Sequence, residues 1–285
     1  MKRDLQFKHF SLGIVWFWLF LFALLPFTLV VITSFMSRSD TTLIKLPLTL
    51  ANYAALNSQL YLYVFEKSFF IAGIATFFCL LLGYPFAYII ARIQTRFKSL
   101  LILLVIIPFW TSSLIRSYAL IAIIKAKGIL NLFLISLHII HQPIPILFTN
   151  TAVIIGLIYN LLPFMILPIM TSVERLDVRL IDAARDLGAG SFTTFRKIII
   201  PMTMPGIIAG CILVFLPAMT IFYIPDILGG AKSVLLGNLI QNQYLIAENW
   251  PLGSAVSIVL TLVLATLIFV YLWAGRGGRD KGGIL

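Results

Sequence analysis

Six apolar runs, at about 11–35, 68–91, 99–123, 151–172, 206–225 and 254–274, are each long enough to carry a helix across roughly 30 Å of hydrocarbon. That pattern removes soluble architectures, because no aqueous fold could hide so much apolar surface; 61% of the residues are hydrophobic and only 11% charged. Inside lipid every backbone amide needs an internal partner, so the runs are predicted as helices of an all-α membrane bundle. A further apolar stretch, 129–149, carries Asn131, His138, His141, Gln142, Pro143 and Pro145. It reads as a short helix and loop on the outer surface.

Lysine and arginine set the expected orientation. One set of connections holds Lys2, Arg3, Lys8, Arg92, Arg96, Lys98, Arg175, Arg179, Arg185, Arg196, Lys197, Arg276, Arg279 and Lys281. The alternate set holds Arg38, Lys45, Lys67, Arg116, Lys125, Lys127 and Lys232. Fourteen against seven places both termini and the connection 173–205 on the cytoplasmic side. The run after Met1-Lys2-Arg3 is too long for a signal-peptide core and has no small-x-small cleavage site, so it reads as a retained first span. The whole of 1–285 reads as a single transmembrane domain.

The net charge of +11 comes without a basic stripe interleaved with aromatics, so nucleic acid is not an expected partner. Cys79 and Cys211 lie within apolar runs and read as small buried hydrophobes. His138 and His141 have no third ligand nearby, and no metal site is expected. Pro26, Pro85, Pro108, Pro163, Pro168, Pro217 and Pro225 interrupt the runs. Each removes a backbone donor, which predicts a bundle that moves or that turns polar backbone toward an interior.

Between the fourth and fifth runs lies DAARDLGAGSFTTFRKIIIP, Asp182 to Pro201. Leu176, Leu180, Ala183, Ala184 and Leu187 recur at helical spacing, with charges covering much of the remainder. Gly188 and Gly190 punctuate the helix end, and Ser191 is placed to cap a second short helix. The product is a helix-turn-helix elbow whose paired alanines let a partner's groove approach closely. By periodicity alone, an amphipathic helix resting on lipid headgroups fits as well.

This segment resembles the docking loop of bacterial ABC-importer permeases, E-A-A-x3-G-x9-I-x-L-P. Asp182, Ala183, Ala184, Gly188, Ile198 and Pro201 fall in register, with Asp182 in place of Glu and Ile200 in place of Leu. GYPFAYIIAR, IPFWTSSLIRSYAL and FYIPDILGGAKSVLLGNLI extend the likeness to the first permease subunits of spermidine/putrescine importers. The resemblance implies six transmembrane helices in a type I importer permease fold, forming half of a polyamine pathway in the bacterial inner membrane. It also implies two copies of an ATP-binding subunit, a second homologous permease and an extracytoplasmic polyamine-binding protein. No cofactor is expected on this chain, with ATP and Mg on the partner ATPase. GGAKS, at 229–233, lacks the glycine before its lysine and is not a phosphate loop.

A polyamine needs carboxylates for its ammonium groups and aromatic faces along its methylenes. Met219, Phe222, Tyr223 and Asp226 fall at i, i+3, i+4 and i+7, one face of a helix, near the outer end of the fifth run. A helix terminus beside Pro225 would turn its negative dipole end toward a cation. Alternatively, Asp226 caps that helix end in water or pairs with Arg116 at the outer end of the third run. Trp110 and Tyr159 are candidate further faces, or simply packing, while Glu248 and Trp250 read as interfacial belt. The same machine for an anionic or metal-organic nutrient is the alternative, with Arg116 in its favour. A membrane enzyme or an ion-coupled carrier would show acids in mid-span, and these runs do not.

Overall fold

The computed structural model describes residues 12–39, 44–93, 96–230 and 233–279, with side chains as far as 269. Readings that rest on Met1, Lys2, Arg3, Lys8, Ala231, Lys232 and Lys281 lie outside the described residues. The described residues form helices joined by turns and loops, with an isolated bridge between Ser37 and Lys45.

Six helical stretches are long and apolar enough to span a membrane, by length and composition. They are α1 (Leu12–Ser34), α3 (Gln59–Arg92), the pair α5 (Ser113–Ile124) and α6 (Ile129–Ser136), α7 (Asn150–Glu174), α9 (Ser191–Thr220) and the Trp250–Phe269 part of α11 (Trp250–Arg279). Shorter helices lie between them: α2 (Ala51–Ala55), α4 (Phe97–Ile106), α8 (Val178–Asp186) and α10 (Leu236–Leu245).

Three runs differ clearly from the predicted bounds. The second begins at Gln59, nine residues early, and the third spanning stretch is Ser113–Ser136, which takes in Ile129–Ser136 of the stretch predicted to lie on the outer surface. The run 99–123 is not one helix: α4 tightens into a 3-10 turn over Ile107–Trp110, and Thr111 is extended, with ψ 143°, before α5 starts. Pro108 withdraws an amide donor there, and its carbonyl is taken by both the Thr111 N–H and the Thr111 hydroxyl. The fifth run starts at Ser191 and stops at Thr220, because Ile221 turns to ψ 122°.

Prolines act on α1 and α9 in one specific way. Leu25 N–H donates to Phe20 O and Ile200 N–H to Phe195 O, each five residues back, and the next residue is Pro26 or Pro201. A regular turn would press the proline ring onto the carbonyl four residues before it. A π turn moves that carbonyl aside and keeps the helix going.

The chain groups into two compact units, Met1–Leu62 with Leu239–Leu285, and Tyr63–Asn238. In the first, α1 packs on α11, joined by Thr33 Oγ1 and Ser254 Oγ at 2.8 Å. Ser34 Oγ meets the Tyr53 hydroxyl at 2.7 Å, and the Asn52 amide donates to Ser34 O and Met36 O. Polar side chains thus fasten the chain after α1, where two carbonyls of its last turn region would otherwise lack partners.

In the second unit the main contact is α7 against α9. Gly206 and Gly210 let the two backbones meet: a Cβ on Gly206 would lie 2.5 Å from Ser172 Cβ and 2.6 Å from Pro168 O. One on Gly210 would lie 2.7 Å from Met165 Sδ. Small residues four apart are how helices in lipid gain contact where no hydrophobic effect drives them together. This seam joins the two helices that flank the elbow.

Candidate functional site: the elbow and the Asp226 segment

At the elbow, Asp177 caps α8 by accepting the Arg179 N–H at 3.0 Å, so Leu176 stands outside the helix. Leu176, Ile181 and Ile199 form a buried cluster, with Tyr88 and Phe195 packed against it. The predicted stripe is therefore divided. Leu176 and Ala184 face the protein, whereas Leu180, Ala183 and Leu187 are exposed, Leu187 at 88%. The apolar strip left outward is one that a folded chain does not need for its own core.

Gly188 ends α8 in the left-handed conformation, φ 80°. Gly188 N–H reaches Arg185 O and Ala189 N–H reaches Ala184 O, both at 2.9 Å, the paired bonds of a Schellman ending. Ser191 does not cap the next helix: Gly190 holds the cap position and Ser191 is already helical. Asp182 is exposed, 3.9 Å from Arg185, a contact too solvated to fix anything. Ile198 is half-buried and Pro201 exposed.

Contacts within its unit surround the elbow. Tyr84 stacks edge-on to Phe195, and its hydroxyl lies 3.0 Å from Thr203 Oγ1. Arg92 lies over the Tyr88 ring at 5.7 Å, and Lys98 pairs with Glu174 at 2.9 Å.

Asp226 lies beyond the far end of α9, whose 30 residues span about 45 Å. The single helical face predicted for Met219, Phe222, Tyr223 and Asp226 does not form, because the helix breaks at Ile221. Met219 is 1% exposed and belongs to the core. Asp226 sits in the first turn of a separate π segment, Pro225–Gly229, so the α9 terminus does not direct its dipole as predicted. Phe222 is exposed, Tyr223 half-buried, and their rings meet edge to face at 6.1 Å. Asp226 is exposed and forms no ion pair with Arg116.

Arg116 is also not at an outer end. It lies in the first turn of α5, next to Ser117, whose Oγ is 3.5 Å from the Asn160 amide, about 15 Å along α7. Trp110 is 76% exposed and Tyr159 47% exposed, and neither ring meets Phe222 or Tyr223.

Two features escaped sequence reading. Asn238, buried at 2% exposure, donates its amide to Phe222 O at 2.7 Å and to Asp226 Oδ1, while Leu235 N–H donates to its Oδ1 at 3.1 Å. Nothing in a lone Gly-Asn pair signals that role. A cavity of about 530 Å³ is lined by Tyr63, Glu66, Lys67 and Phe70 of α3 and by Asn150 and Ile154 of α7. Those α3 residues lie at i, i+3, i+4 and i+7, the very spacing sought around Asp226, so this face was legible. It offers a carboxylate between two aromatic faces, with an ammonium alongside.

Six helices of spanning length with a paired-glycine seam and an outward-facing elbow fit a multi-pass membrane protein. The chain belongs to the family of binding-protein-dependent transport system inner membrane components, whose model matches residues 83–276. Among its relatives, the spermidine/putrescine transport system permease protein PotB of Haemophilus influenzae is 51% identical, with 95% of each chain covered. PotB of Escherichia coli is also 51% identical, covering 91% of this chain and 94% of that one. The E. coli inner membrane ABC transporter permease protein YdcU is 31% identical, covering 84% of this chain and 79% of its own. In structure the chain is similar to a bacterial ABC transporter that imports the acidic polysaccharide alginate, with TM-score 0.77, 15% identity, and 98% and 96% of the chains covered. That likeness establishes the ABC-importer permease fold.

Proposed function

We propose that this chain is the permease subunit of an ATP-driven importer and forms half of a pathway for polyamines such as spermidine or putrescine. The observation that carries the substrate is the 51% identity, over 95% of each chain, to a spermidine/putrescine permease. An extracytoplasmic binding protein delivers the cargo, a second homologous permease completes the pathway, and two copies of an ATP-binding subunit hydrolyse ATP with Mg. This chain binds neither nucleotide nor metal and contacts lipid, not nucleic acid. Both termini and the elbow face the cytoplasm, as the charge count supports.

The mechanism follows from the two ends of α9. At the elbow, Leu180, Ala183 and Leu187 offer the ATPase an apolar strip beside Asp182, and the Gly188 turn fixes the angle between α8 and α9. ATP-driven movement of the elbow is carried by α7 and α9 as one body, since their seam leaves no space for sliding. At the other end, Asp226 receives an ammonium group, with Tyr223 and Phe222 presenting faces to the methylenes. Trp110 and Tyr159 stay exposed and are available to line the route.

Arg116 supports a second reading, the same importer class for an anionic solute, because its guanidinium forms no ion pair among the described residues and its Nε is buried without a partner. Labelled-spermidine and labelled-putrescine uptake in a cell lacking its own importer, supplied with this chain and its partner subunits, separates the two. Saturable, binding-protein-dependent polyamine uptake is the expected result. Uptake no higher than without this chain overturns the polyamine reading, and chain-dependent uptake of a labelled anion establishes the other.

A further inference from the structure

Where α9 ends, the chain leaves helical geometry for two residues and then winds into the Pro225–Gly229 segment. Breaks of this kind free carbonyls that lipid cannot satisfy, so something must bond them. At one of them, Phe222 O, a side chain supplies a donor. Asn238 uses one amide proton on Phe222 O, the other on Asp226 Oδ1, and its own oxygen on the Leu235 N–H. Phe222 O also accepts the Asp226 N–H at 3.2 Å, so the residue at the break and the acid are tied together twice.

The placement of Asn238 is itself determined. A Cβ on Gly237 would lie 2.3 Å from Thr220 O, so only glycine lets α10 start against the end of α9. Leu236 N–H donates to Ser68 Oγ at 2.9 Å, which fastens the same stretch to α3. Leu235, Leu236 and Asn238 are all at most 2% exposed. The amide therefore projects from a fixed wall toward an exposed carboxylate. Asp226 Oδ2 has no partner among the described residues, so the clamp holds one oxygen and leaves the other outward.

We propose that Asn238 is a positioning residue for transport, setting the Asp226 carboxylate in the one orientation that meets a cargo ammonium. This rests on the reading of Asp226 as the cargo acid. It separates two jobs: Asn238 bonds the Phe222 carbonyl at the helix break, and with its other amide proton it aims the acid. A purely structural asparagine would affect the amount of importer. A positioning one affects how much cargo moves for each ATP hydrolysed.

The test uses the complete importer, with both permeases, the ATPase and the binding protein, in proteoliposomes. Polyamine transported, ATP hydrolysed and assembled complex are measured together. Asn238→Ala is expected to lower transport per ATP about tenfold, the scale of losing a hydrogen bond to a charged group, with binding-protein-stimulated hydrolysis within about twofold of wild type. The exchange Asp226→Asn with Asn238→Asp restores an amide–carboxylate pair with the charge on the wrong side. It also deprives Phe222 O of its side-chain donor, so the comparison is made per assembled complex, where transport of about a tenth or less per ATP is expected. Recovery of transport by the exchange overturns the proposal, since the acid would then need no fixed place.

Should Asn238→Ala fail to assemble, Asp226→Glu leaves the clamp residue intact while moving the carboxyl past it. A similar loss per ATP is expected, and an unchanged ratio overturns the proposal. If Asp226→Asn alone transports normally, the cargo-acid reading fails and the clamp with it. If Asp226→Asn loses transport while Asn238→Ala does not, Asn238 alone is excluded.

Discussion

The Tyr84 hydroxyl and Thr203 Oγ1 stand 3.0 Å apart, joining α3 to α9 just past Pro201. Thr203 also bonds back to Ile199 O at 2.8 Å, so the tie ends on the carbonyl of a residue in the elbow's own buried cluster. Movement of the elbow is thereby shared with a helix that does not contribute to the loop.

Tyr84→Phe keeps the ring against Phe195 and deletes only this bond. The expected cost is about 0.6 kcal/mol, the usual scale between membrane helices, with assembly unchanged. Thermal unfolding of the purified importer in detergent measures it. A loss several times larger would mean that the bond closes a wider network.

Gly206→Ala places a methyl against Pro168 O and Ser172 Cβ, where backbone cannot retreat. Overpacking of about 1–3 kcal/mol is expected, seen as a lower unfolding temperature. Gly73→Ala, with open space around the added methyl, is the control and should unfold as wild type.

At the elbow the two turn glycines should part company. Gly188 has φ 80° and Gly190 does not, and neither has a neighbour within 4 Å of an added Cβ. Gly188→Val then strains only the backbone, by about 1–2 kcal/mol, and tilts α8. Binding-protein-stimulated ATP hydrolysis should fall in Gly188→Val and persist in Gly190→Ala. Equal behaviour of the two would remove the turn from the coupling argument.

Leu187→Asp alters a side chain that is 88% exposed and touches little of its own protein. The permease should fold as before but recover less ATPase on copurification, by about tenfold if one apolar contact of roughly 1.5 kcal/mol is lost. Full recovery would place the docking strip elsewhere.

Asp226→Asn should reduce polyamine uptake while the complex still assembles, because the residue is exposed and its partner Asn238 can bond an amide. Unchanged uptake, measured with labelled spermidine, would remove Asp226 from the pathway.

Sequence carried the helical class, the membrane-spanning character and the elbow, since each depends on local spacing: long apolar runs, or a glycine in the one place that needs φ above zero. The Asp226 face failed for the opposite reason. Counting i, i+3, i+4 and i+7 assumes an unbroken helix, and Ile221 breaks it without a preceding glycine to mark the place. Leu180 and Ala184 illustrate a second limit. Both fit one apolar stripe, yet only the packing of Ile181 on Ile199 and Tyr88 determines which side of the helix is inside. Asn238 shows a third, for its bonds reach back 12 and 16 residues to backbone and carboxylate that no periodicity connects.

The π turn before Pro201 carries one more consequence. A turn of that kind holds an extra residue, so everything after it is rotated by about 100° relative to the helix before it. The turn therefore acts as a phase setting between elbow and seam. Removing a single residue from Phe195–Ile199 would leave the elbow cluster and the seam out of phase: with Phe195 kept in place, Gly206 and Gly210 would aim away from α7. The elbow could then swing without taking α7 along.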